Sequence, residues 1–423
     1  MRSDQLRIRP VTRKLISDVT EISRAAHGQG RDRVDDGTSP PVIITTVFRE
    51  IGATGVHTHF HQVARYLETS GTRVSIVTPF SSARLLTYPV FAPRPVLQKV
   101  YPAAGVFWYR HWHEVFLRNA IRRRLATVDD CVVYAQGPLE ARAALQTRRG
   151  PHQRVIMAVH FRGSQADEHT EPGRELKRDG YFFRSIRKLE REVILNLDGI
   201  VYVADWARQM VLKWLPEART IPSAIIGNFV DPLLIDPDAE RVADLVTTGR
   251  LEDRKNHRFL LEVLRQANDA GHRLTLDIFG DGPLKHELEQ LARSLAVADQ
   301  VCFRGFRSDV RDFLPRYRAY VHAAYAEVLP LAVIEGMAAG LPVVAADSGG
   351  VGELFDDGVE GRFWSLDDPN EATRVLLDLL SSEAGRAKAA SAALDRFHRE
   401  YDVSILGPRL RSFLLGSNSG VTE

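Results

Sequence analysis

AEVLPLAVIEGMAAGLPVVAADSGG, residues 326–350, decides the fold of this chain. LAVIEGMAA (331–339) reads as a helix opened by Pro330 and stopped by Gly340, because proline suits a helix start and glycine its end. AYVHA (319–323) before it and PVVAA (342–346) after it are short runs that read as buried strands. Strand, helix and strand at this spacing form a parallel pair with the helix lying across it.

The same alternation extends in both directions. Upstream in the second half, ADLVTTG (243–249), RLTLDIFG (273–280) and VCFRG (301–305) read as strands, and GRFW (361–364) follows downstream. Helices are expected at 257–270, stopped by Gly271, and at 283–295, opened by Pro283. In the first half, VIITTV (42–47), VSIVT (74–78), CVVYA (131–135), RVIMAV (154–159) and GIVYV (199–203) alternate with helical stretches, among them 107–126, 138–148 and 183–196. NFVDPLLIDPD (228–238) carries turn residues and separates the two series. The expected fold is therefore α/β, with two Rossmann-like domains whose parallel sheets face each other across a central cleft, where open α/β sheets bind ligands. Four segments follow: a flexible N-terminal extension (1–40), a first Rossmann-like domain (41–227), a second Rossmann-like domain (228–398) and a C-terminal helix (399–423) placed to cross back to the first domain.

Composition is that of a globular chain, with 44 % apolar and 26 % charged residues over 423 positions. No apolar run approaches the roughly 18 residues of a membrane span, and the first forty residues lack a signal-peptide core, so a cytoplasmic location is expected. Cys131 and Cys302 sit in separate strand-like runs and read as reduced core residues. Residues 1–230 hold 34 Lys and Arg against 22 Asp and Glu, a balance of +12, while residues 231–423 carry −10. The first half thus suits an anionic partner or a peripheral membrane surface, or the two halves simply attract each other.

Glu327 and Glu335 stand eight residues apart around the expected helix start. The leading amides of that helix, at Leu331 and Ala332, are free donors at a positive dipole end, which suits a phosphate. A carboxylate one turn further in is placed to accept hydroxyl hydrogen bonds. Spacing alone equally fits two surface charges on an amphipathic helix. Arg250 and Lys255 follow the strand 243–249, which would aim them at the cleft. Fixed cations there would suit a phosphate-bearing ligand. Gly55, at the opening of a first-half helix, permits close approach of a phosphate or acceptor. His160 ends the strand 154–159, where an imidazole can orient a hydroxyl.

Other features carry less. His57, His59 and His61 alternate by two on an expected helix and share no face, so no metal site is expected. Asp236-Pro237-Asp238 has no strand before it, and Gly280-Asp281-Gly282 lacks the third glycine of a dinucleotide fingerprint. The aromatic and basic stretch 106–126 interleaves apolar and basic positions, which fits partial burial with a solvated basic rim better than a membrane-lying helix.

The stretch 326–350 resembles the E-x7-E signature of glycosyltransferase family 4, retaining enzymes with the GT-B fold. GRLEDRKN (249–256), IFGDGPLKHEL (278–288), VCFRGF (301–306), GNFVD (227–231) and, less closely, IGATGVHTH (51–59) extend the resemblance to the whole chain from about residue 41. It implies that Arg250 and Lys255 grip the donor phosphates, Glu327 contacts the donor sugar, Glu335 holds the ribose hydroxyls, and the amides of Leu331 and Ala332 take the distal phosphate. His160 falls on the acceptor side. The donor would be a UDP-, GDP- or ADP-sugar and no metal cofactor is expected. The acceptor would be a polysaccharide or other sugar, a lipid-linked molecule or a small molecule; weak peripheral membrane contact through the basic first domain is expected, and no nucleic acid. Ala324, Val328 and Thr54 depart from the family's usual Ser, Gly and Gly. A catalytically inactive sugar-nucleotide-binding protein of the same fold is the rival reading. A nicotinamide-dependent oxidoreductase lacks its fingerprint.

Overall fold

Two parallel six-stranded sheets organise the computed structural model. The structure describes residues 39–50, 55–81, 84–93, 96–97, 100, 102–170, 177–178, 180–236 and 239–416. The expected extension 1–40 therefore lies, but for its last two residues, outside the described residues, as do Thr54 and Pro237-Asp238.

The first sheet holds β1 (Val42–Thr45), β2 (Val74–Val77), β3 (Cys131–Ala135), β4 (Gln153–Val159), β5 (Gly199–Tyr202) and β6 (Ser223–Ile225), in the order β2-β1-β3-β4-β5-β6. The second holds β7 (Leu245–Thr248), β8 (Leu276–Phe279), β9 (Val301–Gly305), β10 (Ala319–His322), β11 (Val343–Ala346) and β12 (Gly361–Trp364), in the order β12-β11-β10-β7-β8-β9. Every strand pair is parallel. Strand order in the second sheet reverses between β7 and β10, and this switch point is where a doubly wound sheet opens a crevice at its carboxyl edge. β6 escaped the sequence reading because Ser223-Ala224-Ile225 is a three-residue edge strand with two exposed positions.

Helices cover both faces of each sheet, which is why the strands read as continuous apolar runs. On one face of the first sheet, Phe60, Val63 and Leu67 of the helix Gly55–Thr69 pack on Val42, Ile44 and Tyr134. Leu406, Leu410 and Leu414 of the last described helix, Val403–Leu415, join the same cluster, so this helix lies on the first sheet. The helix Pro102–Leu125 buries Leu117, Ile121 and Leu125 in the core, and Arg124 Nε donates to Ser75 Oγ at 3.1 Å. Its apolar side is thus already occupied, as partial burial with a basic rim requires.

The two halves share one core. Val328 and Leu329, in the loop after β10, belong to the same buried cluster as Val203, Ala204 and Ala207 of the first half. Pro40 onward accordingly forms one compact unit. Glycine makes the close packing at this junction possible. Gly349 has φ +67°, a left-handed conformation, and a Cβ on Gly350 would lie 1.7 Å from the Val328 carbonyl oxygen.

Gly350→Ala is therefore expected to lower the thermal midpoint by several degrees, since the 327–329 loop must move aside. Gly55→Ala should leave it within about a degree, because a Cβ there meets nothing within 4 Å. Differential scanning calorimetry of both variants checks the contrast; equal midpoints would show that the junction is not tightly packed.

Candidate functional site

Chemistry gathers at the switch point, where the loops after β7 and β10 meet. The β7 loop runs through a tight turn, Asp253–Lys255, and Asn256 then takes a left-handed conformation (φ 51°) before the helix His257–Asp269. Asparagine tolerates that geometry better than most residues. The loops are tied by the Tyr325 N–H, which donates to the Arg254 carbonyl at 3.1 Å.

Glu327 lies at the centre and is 7 % exposed. Its Oε1 receives Lys255 Nζ at 2.6 Å and an Arg254 Nη at 2.8 Å, and its Oε2 lies 3.3 Å from His322 Nε2. Burial alone would push this carboxyl up, but Lys255, the adjacent His322 and Arg254 outweigh it and hold the group well below the usual carboxylate range. Arg254 also reaches Glu252 at 3.1 Å, and Glu252 in turn lies 3.4 Å from Arg250 Nε. Three cations thus face two carboxylates, leaving one positive charge over. His322 and the adjacent His257 add none: burial lowers both, His257 to about 3 with help from Lys255 and His322.

Lys255 and Glu327, singled out by sequence, are therefore in direct contact. Arg250 is not on Glu327; its side chain is 58 % exposed at the outer end of the charge chain, free to meet a ligand from the cleft. Arg254 takes the inner place, and sequence reasoning missed it although it stands between the two chosen cations. The helix Leu331–Ala338 starts at the expected residue, with Pro330 as its cap, and ends one residue earlier than expected. The amides of Val333 and Ile334 turn back to the Pro330 carbonyl, at 3.1 and 3.4 Å, which leaves the N–H groups of Leu331 and Ala332 at the open front of the helix. Glu335 sits further along that helix, away from the cation chain. Burial raises its pKa to about 7, offset in part by Arg311.

Two further side-chain contacts tie the halves together near this loop. Asn228 Nδ2 donates to the Leu329 carbonyl at 2.6 Å, and the Glu353 carboxylate accepts the amides of Asp205 and Trp206, at 2.9 and 2.5 Å, at the start of the helix Asp205–Trp214.

His160 follows β4 on the first half. Its Nε2 lies 3.2 Å from Gln136 Oε1, and its ring meets His59 edge-on at 4.3 Å between centroids. Burial lowers His160 to about 4, so it is neutral at physiological pH. His57 and His61, one turn apart, donate from Nε2 to the Arg49 and Glu50 carbonyls, at 3.0 and 2.7 Å, and so anchor the chain ahead of Gly55. Gly55 itself opens its helix, and a Cβ there would meet nothing within 4 Å among the described residues. Among the described residues no three His, Cys, Asp or Glu side chains are grouped to hold a metal, and no helix is long and apolar enough to cross a membrane.

Because the Glu327 carboxylate is ionised with a depressed pKa, it stabilises the fold above its unfolded pKa of about 4.3 and loses that effect as pH falls. Glu327→Ala, which leaves Lys255 and Arg254 facing each other, is expected to cost about 3 kcal/mol at pH 7. The difference from wild type should shrink at pH 4. Urea unfolding at the two pH values tests this, and an equal cost at both would contradict the ionised assignment.

Comparison with known proteins agrees with this geometry. Residues 53–232 match the model described as Glycosyltransferase Family 4, and residues 237–396 match Glycosyl transferases group 1. The putative glycosyltransferase EpsF of Bacillus subtilis is 33 % identical over 190 residues, covering 42 % of this chain but only 46 % of EpsF. The phosphatidyl-myo-inositol mannosyltransferase of Mycolicibacterium smegmatis is 26 % identical over 378 residues, covering 87 % of this chain and 92 % of that one. The crystal structure of Anabaena HepE in complex with UDP and glucose superposes with a TM-score of 0.65 at 18 % identity, covering 89 % of this chain and 99 % of HepE. The two matched regions, the paired parallel sheets and the E-x7-E stretch together place the chain in glycosyltransferase family 4, with the GT-B fold.

Proposed function

We propose that this protein transfers a hexosyl group from a nucleoside-diphosphate sugar to an acceptor held by the first domain, with retention of anomeric configuration. The observation that carries the reading is the chain Arg250, Glu252, Arg254, Glu327 and Lys255 beside the open helix start at Leu331. Residues 41–227 form the acceptor domain in this reading and residues 228–398 the donor domain, while the helix Val403–Leu415 ties the second domain to the first.

Each group then has a task. The Leu331 and Ala332 amides receive the distal phosphate at the positive end of their helix. Arg250, exposed and able to donate twice, grips the pyrophosphate from the cleft side. Lys255 and Arg254 supply fixed charge behind it, so negative charge growing on the leaving group meets dipoles and cations already in place. This arrangement assigns to side chains the role a divalent ion would otherwise fill. Glu327 orients the sugar hydroxyls, Glu335 accepts from the ribose, and His160 orients the acceptor hydroxyl or donor sugar as a neutral imidazole. Gly55 leaves room for the donor at the facing helix start.

UDP is the first donor nucleotide to test, because HepE binds UDP and glucose. The mannosyltransferase relative, named for phosphatidyl-myo-inositol, makes a lipid-linked acceptor a natural candidate beside a soluble sugar. Weak peripheral contact of the basic first half with an anionic inner membrane surface is compatible with either, and a cytoplasmic site of action follows from the use of nucleotide sugars.

Incubation with UDP-, GDP- and ADP-hexoses should release one nucleoside diphosphate. Arg250→Ala and Lys255→Ala should slow that release by about a hundredfold or more, the order of removing a transition-state donor. Unchanged turnover in both would remove the assignment, and tight donor binding without turnover on an acceptor library would select the inactive reading. A second expectation concerns Glu335, whose ionised form is the ribose acceptor. With its pKa near 7, the donor KM should fall as pH rises from 6 to 8. Glu335→Gln should flatten this profile; a pH-dependent KM persisting in the variant would assign the titration elsewhere.

A further inference from the structure

A cavity of about 230 Å³ lies in the first half between the helices Pro102–Leu125, Pro138–Leu145 and Tyr181–Ile194. It is lined by the early part of the first helix, by Leu139 and Arg142 just past the end of β3, and by the early part of the third. In a parallel α/β layer those helix segments lie toward the carboxyl edge of the sheet, the side that faces the cleft. None of these residues belongs to the charge chain described above.

Its mouth is aromatic. Phe182, Phe107 and His111 line it as one continuous strip, which Tyr181 extends beyond the cavity. Centroids are 5.6 Å apart for Tyr181 and Phe182, 6.1 Å for Phe107 and Phe182, and 6.0 Å for Phe107 and His111, whose rings stack within 12° of parallel. Tyr181 is 74 % exposed and Phe107 is 55 % exposed, an unusual exposure for large rings packed on one another. The inner wall is polar. Arg110 donates from one Nη to Gln165 Oε1 at 2.8 Å, which fixes its guanidinium in the wall. Arg142 pairs with Glu114 at 3.1 Å, and these two side chains, 35 % and 14 % exposed, offer a donor and an acceptor to the cavity.

Local charge selects among ligands. Arg110 is surrounded by Glu190, Glu140 and Glu114, with Arg142 as the one further cation. The Arg142–Glu114 pair cancels, and Glu140 and Glu190 offset Arg110, so an additional anion gains nothing here. A neutral ligand with hydroxyl oxygens does. The volume is below the roughly 300–1,000 Å³ of pockets that take drug-sized molecules, which limits the occupant to about one ring. Flat aromatic faces for the C–H side of a ring, and planar charged groups for its hydroxyls, complete the match.

We infer that this cavity is a subsite for one neutral pyranose ring of an oligosaccharide acceptor. The inference rests on the reading that the first domain holds the acceptor, and it narrows that acceptor to a glycan chain that reaches beyond the reacting sugar. Calorimetric titration of the full chain with maltotriose, cellotriose and chitotriose, with decyl phosphate as an anionic amphiphile and with UDP, tests it. At least one trisaccharide should bind. Phe107→Ala, at an exposed ring, should weaken that binding about fivefold or more. Ser185→Trp, which fills the cavity from an exposed position, should abolish it, and both variants should keep wild-type affinity for UDP. Absence of binding to every trisaccharide, equal affinity in the variants, or binding of decyl phosphate alone would overturn the proposal. UDP binding by the wild type reports separately on the donor site.

Discussion

A carboxylate that is 7 % exposed and still ionised must be answered by charge, and in this protein everything around Glu327 follows from that requirement. Lys255 and Arg254 meet it from the β7 loop, so the two loops at the switch point cannot separate without stranding buried charges. The Tyr325 to Arg254 backbone bond closes the same gap. What lies immediately downstream, the start of the helix at Leu331, is thereby fixed relative to the cations. A helix start is a useful anion site only if it is rigid, and here rigidity comes from the ion cluster instead of from a side-chain cap, since Pro330 supplies none.

The same loop also joins the halves. Val328 and Leu329 lie in a core shared with the first half, Asn228 holds the Leu329 carbonyl, and Glu353 caps the helix that begins at Asp205. This gives a physical account of the departure at Val328. The family often has glycine there, whereas in this chain the side chain is 8 % exposed and belongs to the junction. Close packing then has to be admitted from the other side, and Gly349 and Gly350 admit it. Opening of the halves would accordingly pull on the segment between Glu327 and Leu331.

Parts of this arrangement were legible in the sequence. Strand and helix alternation, the glutamate pair and Lys255 are local patterns, readable because their periodicity or their spacing is short. Arg254, His322, Asn228 and Glu353 were not, since their meaning arises from partners that are distant along the chain: Glu327 is 73 residues from Arg254, Leu329 is 101 from Asn228, and Asp205 is 148 from Glu353. A basic residue in a loop looks the same whether it is solvated or neutralises a buried acid. Arg250 and Arg254 show the difference, four positions apart, one 58 % exposed and the other bonded to Glu327. The histidines at 57, 59 and 61 were read as sharing no face, but His57 and His61 stand one turn apart and together anchor the 49–50 segment, and only His59 turns away, to pack on His160.

Charge asymmetry between the halves does not locate the donor site, and the reason is one of range. The second half carries −10 overall, yet its switch point presents three cations to two carboxylates. The first half carries +12, yet the histidine pair following β4 is kept neutral by burial. At physiological ionic strength charges on open surface are screened beyond about 8 Å, whereas partly buried ones are screened much less. A pyrophosphate in the cleft would therefore respond mainly to the few fixed groups lining it. Specific binding is then left to the loop that Glu327 holds in place.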